Sequence, residues 1–153
     1  MKVKLSEIIE GMELQSEDFY YFLNLKTGKN ASVSREALFL ADEGETYDHL
    51  LDWQQEEAEL AYQIIENNDQ FIQPPSRYEI NEYQMMETFC YNQSNTKIQS
   101  ELLNSIRGRG AFRHFKAMII RLGIEDDWFD YRDKKYKQIA IDFCEQNQID
   151  YIE

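Results

Sequence analysis

Between Ser105 and Arg121 the chain carries five Lys or Arg residues (Arg107, Arg109, Arg113, Lys116 and Arg121) and no acidic residue. Arginine forks give paired, charge-assisted hydrogen bonds to phosphate or carboxylate oxygens. Gly108 and Gly110 lack a Cβ and let backbone approach a ligand closely, and a helix N-terminus just beyond them offers free N–H groups and a partial positive charge. Arg107, Gly108, Arg109, Gly110, Arg113 and Lys116 therefore form a candidate anion- or partner-binding site. On a helix, Arg109, Arg113 and Lys116 at i, i+4 and i+7 line one face beside Phe112, Phe115 and Ile119. A second reading stays open: with 29 carboxylates in the chain, these arginines could pair internally, and Gly108 could be only a helix stop. The segment lacks the lysine and hydroxyl of a P-loop and the dinucleotide fingerprint.

Other constellations are weaker. His49 stands among Glu43, Glu45, Asp48 and Asp52, but without calcium-loop spacing, and reads as part of a solvated acidic loop. Cys90 and His114 make a nucleophile and base only if the fold joins them, and Cys90 lies on an apolar stripe where cysteine acts as a small hydrophobe. Cys144 reads the same way. Glu56 and Glu59 mark no cleft, and no serine has a nucleophile-elbow context. Arg132, Lys134, Lys135 and Lys137 alternate with Asp130 and Asp133, as on a solvated helix face. Trp128, Phe129 and Tyr131 could stack RNA bases beside the arginines, but Trp128 and Tyr131 fit a core better. No catalytic residue, metal site or cofactor is expected.

The elements that must position the basic segment can be read in order. Leu5, Ile8, Ile9 and Met12 predict a first helix, with Ser6 as its N-cap. Residues 18–25 and 30–33 predict a hairpin around Lys26-Thr27-Gly28-Lys29. Ser34 caps a short helix to Leu40, and residues 41–52 form an acidic, mobile loop. Trp53, Leu60, Ala61, Ile64 and Ile65 share one helix face. Phe71-Ile72 is extended and stopped by Pro74-Pro75. Capping boxes at Ser76-Glu79 and Thr96-Gln99 open two helices, the first burying Ile80, Tyr83, Met86, Phe89 and Cys90, the second Ile98, Leu102 and Ile106. Gly108 ends the second as its left-handed C′ residue. The next helix buries Phe112, Phe115, Ile119 and Leu122 and stops at Gly123. Asp126 or Asp127 caps a last helix with Trp128, Tyr136, Ile139, Ala140 and Phe143 inward, and residues 149–152 give a final strand. The short strands are expected to share one sheet. The predicted fold is α+β: a mostly helical single domain over residues 1–153, with a small antiparallel sheet built from a hairpin at about 18–33 plus short edge segments.

Composition bounds the function. The net charge is −13, and it is uneven: 7 basic and 19 acidic residues through position 100 give −12, while 9 and 10 after it give −1. Such a field repels nucleic acid at long range, so nucleic acid is disfavoured as a partner. No Cys-x-x-Cys pair, signal-peptide pattern or apolar span of about 20 residues occurs, so a cytoplasmic protein with no membrane partner is expected.

Several residues taken together resemble a known family. They are Tyr21-Phe22-Leu23-Asn24 with Thr27-Gly28, Trp53-Gln54, Ile72 with Pro74-Pro75-Ser76, and Glu87, Phe89 and Cys90. The run Ile106-Arg107-Gly108-Arg109-Gly110-Ala111-Phe112-Arg113 with Phe115-Lys116 is the most specific. Leu122-Gly123, Trp128, Tyr131-Arg132, and Ile139-Ala140 with Phe143-Cys144 complete the set. The pattern resembles the bacterial uncharacterised protein family 0158 over nearly the whole chain, with His114 where such sequences often carry another arginine. The resemblance implies one full-length domain and brings no assigned reaction. The expectation is a non-enzymatic binding or regulatory module that uses the basic segment toward an anionic ligand or a protein. The alternatives are a small enzyme acting on a phosphorylated metabolite, with His114 as its titratable group, and an acidic-surface protein that binds a basic partner through Glu56, Glu57 and Glu59.

Overall fold

A computed structural model describes residues 2–153. Its elements are β1 (Val3–Lys4), α1 (Leu5–Leu14), β2 (Phe19–Asn24), β3 (Lys29–Ser34), α2 (Arg35–Asp42), α3 (Asp52–Glu66) and β4 (Phe71–Ile72). There follow α4 (Arg77–Ile80), α5 (Glu82–Tyr91), α6 (Thr96–Ser105), α7 (Ala111–Arg121), α8 (Glu125–Gln146) and β5 (Tyr151–Ile152). The fold is α+β and mostly helical, with a small antiparallel sheet. Two compact units are distinguished: the chain through Ser76 with Ala140–Glu153, and Arg77–Ile139. Among the described residues no helix is long and apolar enough to cross a membrane.

The first unit is built on the hairpin. β2 and β3 pair antiparallel with Tyr20 opposite Val33 and Leu23 opposite Asn30, which buries Leu23 and Val33. The four-residue turn closes on the Gly28 N–H donating to the Asn24 carbonyl at 2.8 Å, with Gly28 at φ 72°, a conformation that favours glycine. β4 joins the other edge of β2, Leu23 facing Ile72, before Pro74 and Pro75 end the pairing. α1 lies against this sheet: a Cβ at Gly11 would stand 3.1 Å from both Asn30 Oδ1 and Pro74 Cγ, and the Asn30 N–H donates to Glu7 Oε2 at 3.1 Å. Val33, Ala41, Ala61, Ile64 and Phe71 make a core that joins the hairpin to α2 and α3.

Three expectations change in this unit. α1 begins directly after β1 with Lys4 at the N-cap, so Ser6 lies inside the helix. β5 does not join the hairpin sheet; it pairs in parallel with β1, Val3 opposite Tyr151, as a separate two-stranded sheet. Trp53 and Ile65 leave the expected inward face of α3 and are 64% and 37% exposed, while Ala61 and Ile64 are buried and Leu60 and Tyr62 pack partly buried against the core.

The second unit is helical. Phe89 of α5, Phe115 of α7, and Trp128 and Tyr131 of α8 form one aromatic cluster, with Phe115 and Trp128 rings edge-on at 4.8 Å and Phe89 and Trp128 at 5.3 Å. Edge-to-face pairs at such spacing add to the stabilisation from burial alone. Met85, Met86, Leu102 and Ile119 are also buried in this unit.

The helix predicted to run from Ser76 to Cys90 is broken. α4 has four residues, Asn81 adopts φ 49°, and its side chain accepts from the Gln84 N–H to cap α5. Tyr83 is then partly exposed, its hydroxyl donating to the Ile106 carbonyl at 3.1 Å. α6 is capped by Asn95, whose Oδ1 accepts from Lys97 and Ile98, and not by Thr96, so the helix starts one position earlier than expected. α8 starts at Glu125, so Asp126 and Asp127 lie in its first turn, where they face the positive helix end.

Candidate functional site

The basic segment connects α6 to α7. Ile106 is the C-cap of α6, and Gly108 at φ 75° follows two residues on, one position later than a C′ glycine. Gly110 at φ 73° is the N-cap of α7, and its carbonyl accepts from the His114 N–H at 2.9 Å. No side chain caps α7, so its first N–H groups have no intrahelical partner. Two left-handed glycines thus hold Arg107 and Arg109 on an exposed turn.

On α7 the buried stripe is Ala111, Phe115 and Ile119. Steps of 100° place Arg113 and Ile120 near the opposite side and Lys116 about a quarter turn from Phe115, and all three are exposed. Phe112 falls at the edge of the stripe, about 60° from Phe115, and is 47% exposed, contrary to the expected burial. Arg109 precedes the N-cap, so it lies on the turn and does not share the helical face with Arg113 and Lys116. A Cβ at Gly110 would sit 3.3 Å from His114 Cε1 and 3.4 Å from an Arg113 terminal nitrogen, so both side chains fold back over the N-cap.

Among the described residues, no carboxylate lies within 4.0 Å of the charged groups of Arg107, Arg109, Arg113, His114 or Lys116. Arg132 is the contrast. Its Nε donates to Glu82 Oε1 at 2.6 Å and its guanidinium lies 4.1 Å from the Tyr136 ring centre, so it leaves the solvated face expected of the α8 charges. Lys134, Lys135 and Lys137 remain exposed.

The two thiols are enclosed. Burial, with Glu87 adding, pushes Cys90 up to about 11, and burial with Glu145 does the same for Cys144. Among the described residues no group of three or more His, Cys, Asp or Glu could hold a metal ion, and His49 is exposed.

The acidic stretch over residues 41–52, expected as a mobile loop, is tied to α3 by hydrogen bonds: the Tyr62 hydroxyl donates to the Glu45 carbonyl, Gln55 Nε2 donates to the Leu50 carbonyl at 2.7 Å, and Gln54 Oε1 accepts from the Leu51 N–H at 3.1 Å. Tyr47 packs on Tyr62 with ring centres 5.6 Å apart. Between the loop, α2 and α3 lies a cavity of about 310 Å³.

No curated protein and no solved structure gives a significant match to the chain. A family model does, over residues 35–153, beginning at α2 and leaving out α1 and the hairpin with its Tyr21-Asn24 motif. The matched region contains the whole α6–α7 turn, and by that match the chain belongs to the uncharacterised protein family UPF0158.

Proposed function

We propose that the protein is a non-enzymatic binding or regulatory module whose contact surface is Arg107, Gly108, Arg109, Gly110, Arg113 and Lys116. The target is an anionic group, phosphoryl or carboxylate, carried by a ligand or by a partner protein. The observation that carries this reading is a dense, exposed basic cluster with no described carboxylate within ion-pair distance, in a chain of net charge −13. Free arginine forks beside uncapped helix N–H groups suit an anion. The cluster works against the overall field, which disfavours extended nucleic acid. An enzyme acting on a phosphorylated metabolite would need a titratable group in a concavity; His114, its candidate, is exposed on the first turn of α7. Two buried, free cysteines fit the reducing cytoplasm of a bacterial cell.

A thermal-shift panel of phosphate, nucleotides, short RNA and DNA, and divalent metals tests the reading on wild type and on Arg109→Ala/Arg113→Ala. An anion present at about 100 times its dissociation constant stabilises the native state by roughly 2.7 kcal/mol. The expected result is a shift with one anion class that the variant loses. No shift with any anion, together with a lower melting temperature for the variant alone, would make the arginines scaffold.

A further inference from the structure

The cavity between α2, the acidic loop and α3 has a chemistry opposite to that of the basic segment. Its lining residues include Glu36, Glu45 and Glu57, the aromatic residues Phe19, Tyr47, Trp53 and Tyr62, and no lysine or arginine. Glu57 is half-buried; Ser34 Oγ donates to its Oε1 at 2.5 Å, and its second oxygen has no partner among the described residues. Arg35 lies in the neighbouring hollow, but its guanidinium donates to the Tyr20 hydroxyl and stacks near that ring. A partly enclosed carboxylate favours a cation, and aromatic faces attract one further. We propose that this cavity receives a lysine or arginine side chain from a basic, apolar segment of a partner protein.

Two observations select a peptide over a free amine. The volume, about 310 Å³, is at the low end for ligand cavities and exceeds a single lysine or arginine side chain, leaving room for part of a flanking residue. Of the lining residues, Phe19, Leu40 and Trp53 are 44%, 36% and 64% exposed, an apolar rim that a small amine would leave in water and that flanking residues of a peptide would cover. The acidic charge of residues 42–57 complements such a segment and would speed its approach.

Tryptophan emission reads the binding directly, because Trp53 is exposed at the mouth while Trp128 is 3% exposed. The full chain is titrated with a synthetic peptide alternating leucine with arginine and lysine, with the same peptide carrying glutamate in place of each basic residue, and with butylammonium. The expected result is a saturable emission change with the basic peptide alone. Glu36→Gln/Glu57→Gln, in which glutamine can still accept from Ser34, should weaken it at least about tenfold, as loss of a partly desolvated charge pair does. Asp130→Asn/Asp133→Asn, which removes the same charge elsewhere, and Arg109→Ala/Arg113→Ala should bind like wild type. The proposal is overturned by the absence of saturation, by equal weakening in the Asp130/Asp133 variant, or by butylammonium binding as tightly as the peptide. The Arg109/Arg113 variant keeps this outcome separate from that of the proposed anion site.

Discussion

Gly108 and Gly110 carry the geometry of the basic turn, for different reasons. A Cβ at Gly108 would meet nothing within 4 Å, whereas one at Gly110 would press on the His114 and Arg113 side chains. In both cases the positive φ is the main obstacle, costing an L-residue about 1–2 kcal/mol. Gly108→Ala and Gly110→Ala should each lower stability by about that amount in urea denaturation, and Gly108→Asn by less, because asparagine tolerates this region. The thiols give a pH test. An unfolded cysteine ionises near its ordinary 9.0, whereas Cys90 and Cys144 in the fold ionise at about 11. Between those values the unfolded chain binds fewer protons than the folded one, so stability falls as pH rises through this window and is insensitive to these groups below it. Denaturation midpoints at pH 8, 9.5 and 10.5 check the slope. At pH 8 both thiols of the native protein should react slowly with a thiol reagent.

At the scale of elements, Asn81 decides where α5 begins. It holds φ 49° and caps the helix through Gln84. Asn81→Ala loses both the tolerance and the cap and should cost about 2 kcal/mol; Asn81→Gly loses the cap alone, and Asn81→Asp neither, so the order of stabilities is Asp, Gly, Ala. Circular dichroism during urea unfolding gives that order. This break was invisible in the sequence because Ile80, Met86, Phe89 and Cys90 keep helical spacing across it, and spacing does not register one left-handed residue. The hairpin was legible, since its turn glycine and flanking apolar residues are local signals, and so was Ser34, whose Oγ accepts from the Ala37 N–H at 3.1 Å. β1 and β5 were not. A two-residue strand has no period, and a parallel pair formed from opposite ends of the chain leaves no local trace. The same limit applies to the site. The residues Arg107 to Lys116 were evident from composition, but the displacement of Arg109 from the helical face and the exposure of Phe112 depend on where Gly110 starts α7.

At the scale of the whole molecule, charge is the organising quantity. Like charges at net −13 repel within the fold, so melting temperature should rise as ionic strength increases from low salt to physiological salt, where screening reaches about 8 Å. The basic segment is the exception to that field, and the central claim is that it meets anions as a site rather than as scattered cations. Amide chemical shifts of isotopically labelled full-length protein, followed by NMR during titration with millimolar pyrophosphate and with a short polyglutamate peptide, test this most directly. The account predicts saturable shifts concentrated at Gly108–Arg113 with at least one of the two probes, abolished in Arg109→Ala/Arg113→Ala. Shifts absent with both, or spread over every exposed lysine and arginine and unchanged in the variant, would contradict it.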